Sequence, residues 1–161
     1  MKHMNMKSHC AINFSLEIFG DSWSLLIIRD IVFSGKRTFG EFLDSEEHIS
    51  PSVLANRLAN LEISAILAKK PHETDHRKEV YFLTEKGLDL IPILLELTAW
   101  GAKYDPETLA SQQWIAEVQE DRERIIKLIR TTVKSGGSVC AGPNCVNDQL
   151  EEQKFGSLYW F

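Results

Sequence analysis

The run "WSLLIIRDIVF" (23–33) is apolar on nearly every side of a helix, so whatever else the chain does must cover it. This predicts the central, most buried helix of a small core. The run is broken by Arg29 and Asp30 well short of the roughly 20 apolar residues a spanning helix needs, so no membrane segment is expected. At 161 residues, with 43% hydrophobic and 25% charged side chains, the chain suits one main globular domain plus an appended element. The N-terminus carries lysines without an apolar stretch and a small-residue cleavage site behind them, which points to the cytoplasm. Three cysteines at 10, 140 and 145 form no disulfide framework and fit a reducing compartment.

Around the central helix the punctuation is regular. "INFSLEIFG" (12–20) spaces Ile12, Leu16 and Phe19 as a helix that Gly20 ends. "RTFGEFLDS" offers Thr38 as N-cap and Glu41 as its capping-box partner for a short helix. In "ISPSVLANRLANLE" (49–62), Ser50 is an N-cap and Pro51 occupies the first helical position. Leu54, Leu58 and Leu61 make its apolar seam, leaving Ser52, Asn56, Ala59 and Asn60 on the far side. "AILAKKPH" and "EVYFLT" then read as two strands around the turn-prone "ETDHRK". Thr84 starts a long helix (84–104) with Leu88, Ile91, Leu95 and Trp100 turned inward and an irregularity near Pro92. A last helix, roughly 107–134, carries the stripe Ile115, Val118, Ile125, Ile129 and Val133, and 135–161 reads as a flexible tail without its own core.

The fold class expected is mainly α with a small β-hairpin. Two helices, a short helix, a capped helix and a basic hairpin are the order of a winged helix-turn-helix, here over residues 10–104. A helix that enters the major groove needs small or hydrogen-bonding side chains on its free face, which Ser50, Ser52, Asn56 and Asn60 supply. Arg57, at the seam's edge, suits a phosphate or an edge guanine. Lys36, Arg37, Lys69, Lys70, Arg77 and Lys78 are the expected phosphate contacts. The formal net charge is -5, but residues 66–78 hold four Lys/Arg against two acids, so charge is segregated toward the hairpin. The stripe on 105–134 is the expected homodimer surface, and the partner is double-stranded DNA.

The motifs "GDSWSLLIIRDI", "RTFGEFL", "ISPSVLANRLANLE", "VYFLTEKG" and "AWG" resemble, in order and spacing, the HxlR-type transcription regulators, a winged-helix group related to MarR regulators. The resemblance covers about residues 10–104 and implies a homodimer on a pseudo-palindromic operator, with no cofactor. Asp21–Ser22 replaces the commoner Gly-Lys before Trp23, and the hairpin tip is more acidic than usual. The resemblance further implies that Cys10, just ahead of the first helix, senses electrophiles or oxidants; a helix N-terminus favours the thiolate.

Two other features invite chemistry. "HETDH" (72–76) fits the H-E-x-x-H zinc-protease pattern, but that motif requires a helix and a third ligand. Cys140 and Cys145 sit in a Gly/Pro loop with a spacing unlike a zinc knuckle, so a disulfide is the more natural pairing and no metal is expected. No phosphate-cradling glycine loop or nucleophile elbow is present, so the chain does not read as an enzyme. The alternative to a DNA-binding regulator is a winged-helix module for protein interaction.

Overall fold

The computed structural model describes residues 8–156. Helix α1 (Ala11–Phe19) leads to α2 (Ser24–Ser34), α3 (Phe39–Leu43) and α4 (Pro51–Ile63). Strands β1 (Leu67–Pro71) and β2 (Glu79–Leu83) form an antiparallel hairpin, with Leu67 opposite Leu83 and Pro71 opposite Glu79. Then come α5 (Glu85–Leu88), α6 (Ile91–Tyr104), α7 (Gln112–Glu120), α8 (Arg122–Lys134) and α9 (Val146–Gly156). Among the described residues no single helix is long and apolar enough to cross a membrane.

The core forms around α2 as its composition demands: Ile27, Ile28, Ile31 and Val32 are buried with Leu54, Leu58 and Leu61 of α4, Leu83 of β2, Leu88 of α5 and Ile91 of α6. The start signals work as read. Thr38 and Glu41 close a reciprocal capping box, and Ser50 Oγ accepts from the Val53 N–H at 3.4 Å with Pro51 behind it. Thr84 caps α5 by accepting from Gly87 N–H at 3.2 Å, while its hydroxyl donates to Ala65 O at 2.6 Å. Gly87 has no alternative there, because a Cβ would lie 2.3 Å from Ile66 O.

Three expectations are corrected. The helix expected over 84–104 is divided at Asp89–Leu90, ahead of Pro92, whose missing N–H cannot continue an earlier turn. The helix expected over 107–134 is two helices broken at Asp121, and its stripe is not a free surface. Ile115, Val118, Ile125, Ile129 and Val133 are all buried within the protomer, where α8 packs on α2, α6, α7 and β2. A stripe reports that it is covered, not by whom.

The described part of the segment expected as a coreless tail is likewise packed: Val139, Val146 and Leu150 join the core. Its backbone completes α2. The last carbonyls of a helix lack intrahelical partners, and here Val139 N–H donates to Val32 O and Cys140 N–H to Phe33 O, both at 2.9 Å. Gly35 ends α2 in the left-handed conformation at φ 69°. Residues 157–161, the end of the apolar "FGSLYWF", lie outside the described residues.

A buried polar knot sets α4 on α2. Asp30 accepts from Arg29 Nε at 3.0 Å and from Ser45 Oγ, and Lys36 Nζ lies 3.4 Å away while donating to Ser45 Oγ at 2.7 Å. Arg29 also reaches Glu47, with Nη2 3.0 Å from Oε2. The turn 44–49 that precedes Ser50 is thereby tied to α2. Hydrogen bonding from Arg29 holds the Glu47 carboxyl down to about 2, from an ordinary 4.5. A carboxyl depressed in the folded state contributes stability that is complete above its unfolded value and is lost as pH falls through its folded value. Glu47→Gln should therefore be less thermostable than the parent near neutral pH, with the gap closing as pH falls from 4.5 toward about 2. A gap in melting temperature that stays constant across that window would remove Glu47 from the knot.

Candidate nucleic-acid interface

The free face of α4 is built by difference. With its leucine seam buried, the helix exposes Ser52, Ala55, Asn56, Ala59 and Asn60, all small or amide-bearing. Asn60 Nδ2 donates to Asn56 Oδ1 at 3.1 Å, so the two amides form one pre-aligned unit with an amide hydrogen and a carbonyl still to offer. Ser50 and Ser52 hydroxyls lie 3.4 Å apart at the helix N-terminus. Beyond them, His48 holds a positive φ of 53° in the turn that delivers the helix.

The expected cations divide into two groups. Lys69, Lys70, Arg77 and Lys78 are exposed along the hairpin. Lys69 Nζ is 3.6 Å from Glu62 at the end of α4, which draws β1 toward that helix. At the tip, Asp75 accepts from Arg77 Nε at 3.0 Å and lies 4.0 Å from Lys78 Nζ, and the Arg77 hydrogen bond lowers its carboxyl pKa. These exposed pairs are weak and solvent-screened, so a phosphate can compete for the same side chains.

Lys36, Arg37 and Arg57 are committed inside the protomer instead. Lys36 belongs to the knot. Arg37 Nη2 donates to Gly137 O at 2.9 Å, and burial lowers the pKa of its guanidinium. Arg57 Nε lies 3.1 Å from Asp21 Oδ1. Asp21 in turn accepts from the Trp23 and Ser24 N–H groups at 2.9 and 3.0 Å, so the Asp21–Ser22 departure from the commoner pattern caps α2 and anchors α4. Sequence spacing placed these three near the right elements but could not reveal carbonyl and carboxylate partners up to a hundred residues away.

Cys10 is exposed at the N-cap of α1, where the N–H groups of Asn13 and Ile12 hold its thiol below the ordinary value. Cys145 is buried and Cys140 largely exposed, though partial desolvation still pushes the Cys140 thiol up. The H-E-x-x-H match lies in the hairpin turn, where no helix aligns His72 with His76. Among the described residues, no group of three or more His, Cys, Asp or Glu is placed to hold a metal ion.

One feature escaped the sequence reading. Ile93, Leu97, Trp100 and Tyr104 recur every three to four residues along α6 and are exposed, Trp100 by 67% and Tyr104 by 61%. Trp100 therefore points out of the protomer, not inward as its spacing suggested. Ile12 and Leu16 of α1 are exposed as well. Trp100 and Tyr104 rings sit 5.1 Å apart, and Lys103 Nζ lies 5.2 Å from the Tyr104 ring centre.

The HxlR-like helix-turn-helix family model matches residues 18–109, which hold α2 to α6 and the hairpin. A helix-turn-helix-type transcriptional regulator of Mycobacterium tuberculosis is 34% identical over 96 residues, 60% of each chain, so this chain spans about 60% of that relative's length. Among solved structures, the transcription factor PA1607 is similar at 36% identity and a TM-score of 0.58, over 65% of this chain and 73% of that one. The redox regulator HypR in its oxidised form is similar at 29% identity and a TM-score of 0.52, over 58% and 96%. With the matched segment covering more than half of its length, the chain belongs to the HxlR-like helix-turn-helix family.

Proposed function

We propose that the protein is a cytoplasmic transcriptional regulator that binds a pseudo-palindromic site in double-stranded DNA as a homodimer, without a cofactor. The observation that carries this reading is the outer face of α4. It offers the Asn56–Asn60 amide pair and the Ser50 and Ser52 hydroxyls on a helix whose other face is locked to α2, beside a hairpin bearing Lys69, Lys70, Arg77 and Lys78. Asn pairs bidentately with adenine in the major groove, and the hairpin cations supply the sequence-independent attraction. Lys36, Arg37 and Arg57 act as struts in this account, not as phosphate ligands. The relatives' regulator descriptions agree with it.

Affinity for a generic duplex should fall linearly with salt on logarithmic axes, and Lys70→Ala with Arg77→Ala should flatten that slope by about two phosphates' worth. Binding that is indifferent to salt would favour a protein-interaction module.

The dimer surface proposed is the exposed stripe of α6 together with α1, replacing the buried stripe of α7 and α8. A row of large apolar side chains left open to water on one helix is the mark of an association surface. Light scattering should give a dimer at micromolar concentration, and Leu97→Glu with Trp100→Glu should give a folded monomer. A double variant that remains dimeric would move the interface elsewhere.

We further propose that Cys10 makes the regulator responsive to small electrophiles or oxidants, on the strength of its exposed position at a helix N-terminus and of the likeness to HypR, described as a redox regulator. Diamide should change the DNA affinity of the parent and leave that of Cys10→Ser untouched. An equal response in both would exclude the thiol.

A further inference from the structure

Helix α4 carries one cation and one acid, and both are half-buried and paired with other elements. Arg57 Nε lies 3.1 Å from Asp21 Oδ1, on the α2 side. Glu62, in the last turn, lies 3.6 Å from Lys69 Nζ of β1. Between Ser52 and Asn60 the exposed side chains are uncharged and fall into two neighbouring columns at four-residue spacing. Ser52, Asn56 and Asn60 form a hydrogen-bonding column, and Ala55 and Ala59 a methyl column.

Each base pair shows the major groove a different edge. Guanine offers two acceptors, which suit the donors of an arginine or a lysine, and cytosine offers a donor, which suits a carboxylate. The face between Ser52 and Asn60 holds neither. Adenine instead offers an acceptor, N7, beside a donor, its N6 amino group, and thymine adds a C5 methyl. The 3.1 Å hydrogen bond from Asn60 Nδ2 to Asn56 Oδ1 leaves an N–H and a carbonyl lone pair on each amide, the complement of adenine. It also holds the two side chains in one orientation, so less rotamer freedom is lost on contact. The short Ala55 and Ala59 side chains let a thymine methyl approach and give it an apolar neighbour. The Ser52 hydroxyl donates or accepts, so it suits either kind of pair.

We propose that the outer face of α4 selects A·T pairs by direct contact in the major groove and discriminates against G·C pairs. Asn56 and Asn60 take adenine, and Ala55 and Ala59 take the thymine methyl. The preference rests on the proposed reading of α4 as the groove helix and adds the chemical class of half-site that this helix accepts. The exposed hairpin cations, Lys70 among them, contribute affinity through phosphates and carry no base preference.

The test starts from a random duplex pool selected in parallel by the full reduced chain, by Asn56→Ala and by Lys70→Ala. The duplex enriched by the parent is then remade with 7-deazaadenine, which lacks N7, or with uracil, which lacks the methyl. At the positions whose preference Asn56→Ala loses, the parent should enrich A·T pairs. There 7-deazaadenine should weaken binding by about fivefold or more, and uracil by about fourfold. Both analogues keep the minor-groove edge, so these losses separate base contact from recognition of a narrow groove. Lys70→Ala should bind every duplex more weakly and keep the parent's motif. G·C pairs at the Asn56-dependent positions, or indifference there to either analogue, would overturn the proposal and leave α4 as a reading helix of another preference. A parent that enriches no motif would remove the sequence-specific reading itself, and the proposal with it.

Discussion

The Asp30 carboxylate, buried on the central helix, is the constraint on which the rest of the architecture leans. It cannot be stable there without partners, and it recruits Arg29, Lys36 and Ser45 from three points along the chain. Removing one of its partners leaves a buried carboxylate less well compensated, which is destabilising. The geometric consequence matters more. Ser45 and Glu47 lie in the turn into α4, so the knot converts the position of α2 into the position of α4. Asp21, capping the other end of α2, grips Arg57 from the far side. The helix that faces outward is held ahead of its first turn and at mid-length by charges, Lys36 and Arg57, that look, in the sequence, available for DNA.

The same economy of partners explains the C-terminal extension. Helix α2 ends inside the protein, where unsatisfied carbonyls are costly. Residues 139 and 140 supply two N–H groups, Arg37 reaches Gly137 O, and the buried Val139, Val146 and Leu150 cover what the helix leaves exposed. The extension therefore belongs to the core.

Much of the fold was legible because it rests on local signals. The Thr38–Glu41 box, the Ser50–Pro51 start, the Leu54–Leu58–Leu61 seam and the Thr84 cap each act within a few residues, and each formed as read. What periodicity could not supply was the identity of the covering surface. Two apolar stripes, on α6 and on α7–α8, carry the same pattern, yet one is open and the other buried, because α6 turns a second apolar row, Ile91, Leu94 and Leu95, into the core while the α7–α8 stripe is the one its helices pack inward. The tail misled for a related reason: Gly, Ser and Pro over 135–143 signal turns, and turns can fold a short apolar set back onto a helix end as readily as lead it away. Of the candidate site, the hydrogen-bonding face and hairpin cations keep their exposed positions, while Lys36, Arg37 and Arg57 were read by charge alone, without the acids and carbonyls they face.

The central claim is that the outer face of α4 reads base sequence. Its most direct test is selection from a random duplex pool by the reduced, full-length protein, alongside Asn56→Ala with Asn60→Ala, a variant that touches none of the buried struts. The account predicts enrichment of an inverted repeat by the parent, with half-sites about one helical turn apart, and its loss in the variant. The same enriched repeat from both proteins, or no enrichment at low salt, would contradict it.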